Sequence, residues 1–186
     1  MKTKFEKIEE NANKIIQQRK EVDENIKELV LEAINYKNAK MICLVAYNFH
    51  EDLDQQIINK MADTLLELGE AEYIYRFATQ VNNAPVEKLA KGIVKAGESR
   101  YILEFAQNIS NAPIDLLADA IIKNGTAQEI YSFAFYVDKA PKKKLAKAIL
   151  KLGAEEDIEA FALDVMHTST EELIKGPFPF AEDELE

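Results

Sequence analysis

Two histidines and one cysteine are the residues in this 186-residue sequence best suited to ligating a metal or carrying a nucleophilic step. His50, His167 and Cys43 supply too little for the three nitrogen or sulfur ligands a zinc site usually needs. No HExxH, CxxC, GxSxG or P-loop pattern occurs either. Each of the three has a plainer reading. His50 stands where later segments carry Ala78 and Ala106, His167 falls in a turn, and Cys43 lies in the apolar run 42–46 as a small core residue. Carboxylates are plentiful, but surface helices carry acids on solvated faces by default, so no acid–base pair follows from their number. The sequence therefore predicts no catalytic, metal or cofactor site.

The elements that position these residues repeat. Gly69, Gly97, Gly125 and Gly153 are 28 residues apart. Phe77, Phe105, Phe133 and Phe161 keep the same step, each followed by alanine, as do Pro85, Pro113 and Pro141 and the leucines 89, 117, 145 and 173. A fixed period of this size marks a stacked-repeat architecture. In one unit, Tyr73, Ile74, Phe77, Ala78 and Val81 form the apolar face of a first helix. The NNAP segment ends it. Pro85 suits the first turn of a second helix, whose buried face is Val86, Leu89, Ala90, Ile93 and Val94. Gly97 then sits where a left-handed residue closes a helix. Gly92, Ala120 and Ala148 keep one position small for a close helix crossing. The pattern predicts helices of about 11 residues with turns of about 3 to 4, and neither helix pair can bury its face alone.

The ends depart from the pattern. Residues 3–20 read as a polar helix with Phe5, Ile8, Ala12 and Ile15 inward, either capping the stack or making a short coiled-coil dimer contact. Asp23 is the expected N-cap of a helix over 24–37. Residues 42–68 form a degenerate first repeat, with Gln56 and Ile57 in place of alanine and proline. At the other end Ser169–Glu172 spells a capping box, and Gly176 and Pro177 stop the last helix. Phe178 and Phe180 then serve as a lid over the open core or belong to a linear motif.

The F-A…A-P…L…I…G skeleton, as in Phe105, Ala106, Ala112, Pro113, Leu117, Ile121 and Gly125, resembles the HEAT-like α-solenoids in a short form over roughly residues 39–175. The expected fold is all-α: a right-handed α-solenoid of stacked antiparallel helix pairs with about 11–12 helices. Residues 1–37 form an N-terminal helical cap continuous with the repeat domain 38–175, and 176–186 an acidic tail. The resemblance implies protein-binding scaffolds, adaptors and inhibitors, with a minority that bind nucleic acid.

Net charge is −10, and residues 154–186 hold all of it: 11 acids against Lys175. Residues 1–40 (8 acids, 9 bases) and 41–153 (14 acids, 13 bases) nearly cancel. No apolar run reaches membrane-spanning length, the N-terminus lacks a signal-peptide core, and a lone cysteine fits a reducing compartment, so a cytoplasmic protein is expected.

Function is sought where the units disagree. Opposite the buried stripe of the second helices stand Lys60, Asp63 and Glu67; Lys88, Lys91 and Lys95; Leu116, Asp119 and Lys123; Lys144, Lys147 and Lys151. Helix dipoles account for Lys95, Lys123 and Lys151. Lys88, Lys91, Lys144 and Lys147 remain as a candidate basic groove. On the first helices, Tyr75, Leu103 and Tyr131 flank the buried stripe, and Phe135 and Leu163 replace Thr79 and Gln107, with Tyr136 nearby. This apolar patch is covered by the 177–180 segment, by a second subunit (the chain being a monomer or a homodimer), or by another protein. The first reading is a non-enzymatic protein-binding module, with an acidic inhibitor as a variant that depends on the last 33 residues. The alternative is nucleic-acid or polyanion binding along the lysine row, modulated by the acidic C-terminus. Scarce arginine and absent tryptophan count against that alternative.

Overall fold

Apolar residues recurring every three to four positions, punctuated by glycine and proline, restrict this chain to short helices. The computed structural model describes residues 3–17 and 22–175, and there the chain forms twelve α-helices and no strand. The first two are α1 (Lys4–Gln17) and α2 (Val22–Tyr36). Four pairs follow: α3 (Ala39–Phe49) with α4 (Gln55–Leu68), α5 (Ala71–Gln80) with α6 (Val86–Ala96), α7 (Ser99–Asn108) with α8 (Ile114–Asn124), and α9 (Ala127–Tyr136) with α10 (Lys142–Leu152). The last unit holds α11 (Glu155–Ala160), a π turn over Phe161–Val165, and α12 (Thr170–Lys175).

Neighbouring helices pack in succession. Each first helix packs on its own second helix and on the next first helix, from α3 through α5 and α7 to α9 and the π turn. The second helices α4, α6, α8 and α10 follow one another likewise. One hydrophobic core runs from Ile8 to Leu173. Phe77, Phe105, Phe133 and Phe161 are wholly buried, as are Leu89, Leu117 and Leu145. Each such phenylalanine contributes about 1.5–3 kcal/mol of burial, so the repeated residues hold neighbouring units together.

The turns differ from expectation in length. Five residues, 81–85, join α5 to α6, and two, 97–98, join α6 to α7. The longer turn carries a left-handed residue, two positions before the proline in the units that have one. Asn83, Asn111, Lys139 and His167, one unit apart, have φ of 58, 61, 58 and 54°. The prolines occupy the N-cap rather than the first helical position: Pro85 has φ −75° and ψ 79°, and its carbonyl accepts from the Leu89 N–H at 3.0 Å. Where the first unit lacks proline, Asp54 caps α4 through the Ile57 N–H (2.8 Å) and the helix starts at Gln55. Asp23 is likewise not an N-cap, because α2 already begins at Val22.

Glycine serves two purposes at one register position. Gly69 and Gly97 are left-handed, with φ of 72 and 76°. Gly125 and Gly153 are not, at −87 and −78°. There a Cβ would lie 2.6 Å from the Ile121 carbonyl oxygen and 2.8 Å from that of Ile149. The difference follows the third residue of the next helix. Glu129 and Asp157 accept hydrogen bonds from the N–H groups of Thr126 (2.7 Å) and Ala154 (3.0 Å), whereas tyrosines 73 and 101 stand at those positions earlier. Gly92 makes the expected close crossing: a Cβ there would fall 2.0 Å from Leu66 Cδ2.

The last unit has no proline, and its first helix ends in i→i+5 bonding, with Met166 N–H donating to the Phe161 carbonyl at 3.2 Å. The Ser169–Glu172 capping box forms, with Glu172 N–H on Ser169 Oγ at 3.2 Å, and Leu173 is buried. Thr168 also donates to Glu172, which holds that carboxyl below its ordinary range. Phe178 and Phe180 lie outside the described residues, as do 18–20 at the end of the first predicted helix.

Candidate protein-docking surface

Cys43, His50 and His167 sit in different surroundings. Cys43 is buried and its thiol donates to the Tyr73 carbonyl at 3.2 Å; burial pushes it up to about 12. His50 is half-buried beyond the last residue of α3, as a partly buried histidine with a hydrogen-bond partner. Its Nδ1 lies 3.0 Å from the Tyr47 carbonyl, which can only accept, so that nitrogen carries a proton. His167 occupies the left-handed turn position, and its side chain is exposed. Among the described residues no group of three histidine, cysteine or acidic side chains is placed to hold a metal ion.

The second helices carry the lysines on one side, but acids are threaded through them. Lys88 pairs with Asp63 of the preceding unit, and Lys144 pairs with Asp119 in the same way. Both pairs are about half exposed and contribute at most about 1 kcal/mol each. Their larger effect is on the field, since two of the four lysines proposed for a basic groove are neutralised locally. Lys147 also has a partner. Between α6 and α8 lies a depression of about 700 Å³ bordered by Lys95, Lys123, Leu116 and Asp119. A second, of about 550 Å³, is bordered by Lys88, Lys91, Glu87 and Asn111. Mixed charge lines both.

The first helices give a different surface. Tyr131 stacks on Phe135 with ring centroids 5.8 Å apart, and Phe135 meets Tyr136 edge-on at 4.8 Å. Phe135 is 48% exposed, Tyr136 62% and Leu163 55%. These rings line up because 131 and 135 are one turn apart on α9, and α9 packs against both α11 and the π turn that carries Leu163. Core packing does not require them, since Ile130, Phe133 and Ala134 already fill the inward face of α9.

Tyr75 and Tyr131 are tied down by their neighbours. Tyr75 Oη accepts from Asn108 Nδ2 at 3.1 Å, and Tyr131 Oη donates to Asp164 Oδ2 at 2.8 Å. Both bonds span 33 residues and link one first helix to the next. The bond to Asp164 raises the Tyr131 phenol above its ordinary range. Leu103, half-buried, has Tyr136 at that distance in sequence and no hydrogen bond to make. Of the residues picked out by sequence, Tyr131, Phe135 and Tyr136 come together on α9, Leu163 lies on the π turn packed against that helix, and Tyr75 pairs with Tyr101 further back at 6.1 Å. Asp164 was missed, although its spacing from Tyr131 equals that of Asn108 from Tyr75. Ile174 was missed as well. It holds the register of the buried alanines 90, 118 and 146 yet is 61% exposed, because no unit follows to cover it within the described chain.

No helix among the described residues is long and apolar enough to cross a membrane. No protein-family model matches this chain, and no curated protein does.

Proposed function

We propose that this chain is a non-enzymatic protein-binding scaffold, adaptor or inhibitor, built as a short right-handed HEAT-like solenoid. It docks its partner on the first-helix face of the C-terminal units. The observation that carries this reading is the exposed pair Phe135 and Tyr136, stacked on Tyr131, with the exposed Leu163 on the π turn packed against the same helix. Rigid aromatic side chains already ordered before binding lose little freedom on contact, which is the character of interface anchors. Equivalent positions in earlier units are the polar Thr79, Gln107, Gln80 and Asn108, so the repeat itself does not demand the aromatics.

The test is affinity capture from the native host with mass spectrometry, comparing the wild-type chain with a Phe135→Ser/Tyr136→Ser/Leu163→Ser variant. Bound proteins present with the first and lost with the second support the proposal. An unchanged set would overturn it. Nucleic-acid binding along the second helices is disfavoured by the pairing of Lys88 and Lys144 with aspartates. A gel shift at low salt that depends on Lys91 and Lys147 would reverse that preference.

A further inference from the structure

Every charged side chain of α11 and the π turn is acidic. On α11 the residues Glu155, Glu156 and Glu159 are exposed, and no lysine or arginine occurs between 152 and 174. Glu156 and Glu159 fall on one face of α11, and the π turn that carries Leu163 follows it directly, so the acids run into the apolar anchor. The face of α9 that carries Gln128, Tyr131, Ser132, Phe135 and Tyr136 has no charge. On its far side, Arg100 of α7 is paired with Glu104 at 2.8 Å. Of the lysines that follow α9, Lys144 is paired with Asp119, whereas Lys142 keeps its charge as it donates to the Val165 carbonyl at 3.4 Å, and Lys139 adjoins Asp138 in sequence.

We infer that the occupant of this surface is a basic amphipathic helix of a partner protein, its apolar side on Phe135, Tyr136 and Leu163 and its cationic side along Glu155, Glu156 and Glu159. The inference rests on the protein-docking reading and adds the chemistry of the partner. Complementary charge selects this occupant over two others. Residues 176–186 contain four acids and no base, so the chain's own tail would bring like charge against α11. A second copy would bring the same acidic α11 to the contact rather than a cationic stripe.

The experiment uses the full chain and three labelled peptides of about 18 residues, followed by fluorescence anisotropy. One is an amphipathic leucine–lysine helix, one its leucine–glutamate counterpart, and one a lysine peptide of equal composition scrambled to remove the apolar face. The leucine–lysine helix should bind, and weaken about tenfold with Glu156→Lys/Glu159→Lys and again with Phe135→Ser/Leu163→Ser. Raising salt should weaken it too. Equal or tighter binding of the glutamate helix, still lost with Phe135→Ser/Leu163→Ser, would overturn the basic partner and leave the docking surface standing. Equal binding of the scrambled peptide would overturn the helical apolar contact. No binding by any peptide, or binding indifferent to Phe135 and Leu163, would overturn the inference and count against the docking surface as well. Self-association abolished by the Phe135→Ser/Leu163→Ser variant would assign the surface to a second copy instead.

Discussion

At the residue scale, backbone conformation and burial make the sharpest predictions. Lys139 holds a φ of 58°, a left-handed conformation that costs an ordinary L-residue about 1–2 kcal/mol and costs asparagine less. Asn83 and Asn111 occupy the same place in earlier units. Lys139→Asn is therefore expected to stabilise the chain by about 0.5–1 kcal/mol, and Asn111→Lys to destabilise it by a similar amount, both read from urea unfolding. Cys43 gives a pH dependence. Its thiol rises from the ordinary 9.0 to about 12, so the folded state favours the neutral form. That stability is whole below pH 9 and is lost as pH climbs from 9 towards 12. The Tyr73 and Tyr131 phenols shift upward too and steepen the same fall. Cys43→Ala should flatten the slope over this range even though it lowers stability overall by leaving a small void. An unchanged slope would mean that the tyrosines alone carry it.

At the scale of elements, the two kinds of closing glycine separate under substitution. Gly97 needs a left-handed φ, so Gly97→Asn should cost clearly less than Gly97→Ala, which loses about 1 kcal/mol. Gly125 has an ordinary φ but no room for a Cβ beside the Ile121 carbonyl, so alanine and asparagine should harm it alike. Thermal unfolding of the four variants decides the matter. Helix N-caps offer a second check. Thr126 and Glu129 close a full capping box on α9, and Thr126→Ala should cost about 1 kcal/mol.

These elements show what was legible beforehand. The helices, their pairing and the buried Phe, Leu and Ile positions were readable because each comes from a period of 28 superposed on helical spacing. The left-handed Lys139 and His167 were not, since lysine does not announce that conformation, histidine does so only weakly, and the asparagines at 83 and 111 are the main hint. The split among the glycines was hidden for a different reason: it is decided four residues later, by Glu129 and Asp157 against tyrosines 73 and 101. The ion pairs Lys88–Asp63 and Lys144–Asp119 join neighbouring units, so reading lysines along one row overstated the basic charge. The aromatic cluster was partly visible, because Phe135 and Leu163 break the polar pattern. The ring stacking and the Tyr131–Asp164 bond required the helices to be placed first.

At the scale of the whole molecule, the succession of like contacts makes length a variable. If each unit contacts only its neighbours, stability is a sum of unit and interface contributions, and an added internal unit brings one more interface. A second copy of residues 98–125 inserted after Gly125 retains the glycine-to-cap junction on both sides and adds one α7–α8 pair. That chain should fold with unchanged helicity per residue, unfold cooperatively, show a steeper urea dependence and gain stability. Inserting residues 98–111 alone adds a single first helix and reverses the direction of everything that follows. Phe133, Phe161 and Leu173 then lose their partners, and the chain should aggregate or unfold without cooperativity. Circular dichroism and urea titration of the two insertions distinguish a modular stack from a core that depends on its full sequence. Equal disruption by both would refute the solenoid reading. The same pair bears on the docking surface, because the 28-residue insertion lies before Phe135 and leaves the last three first-helix faces intact. The longer chain should therefore retain any binding that depends on Phe135, Tyr136 and Leu163.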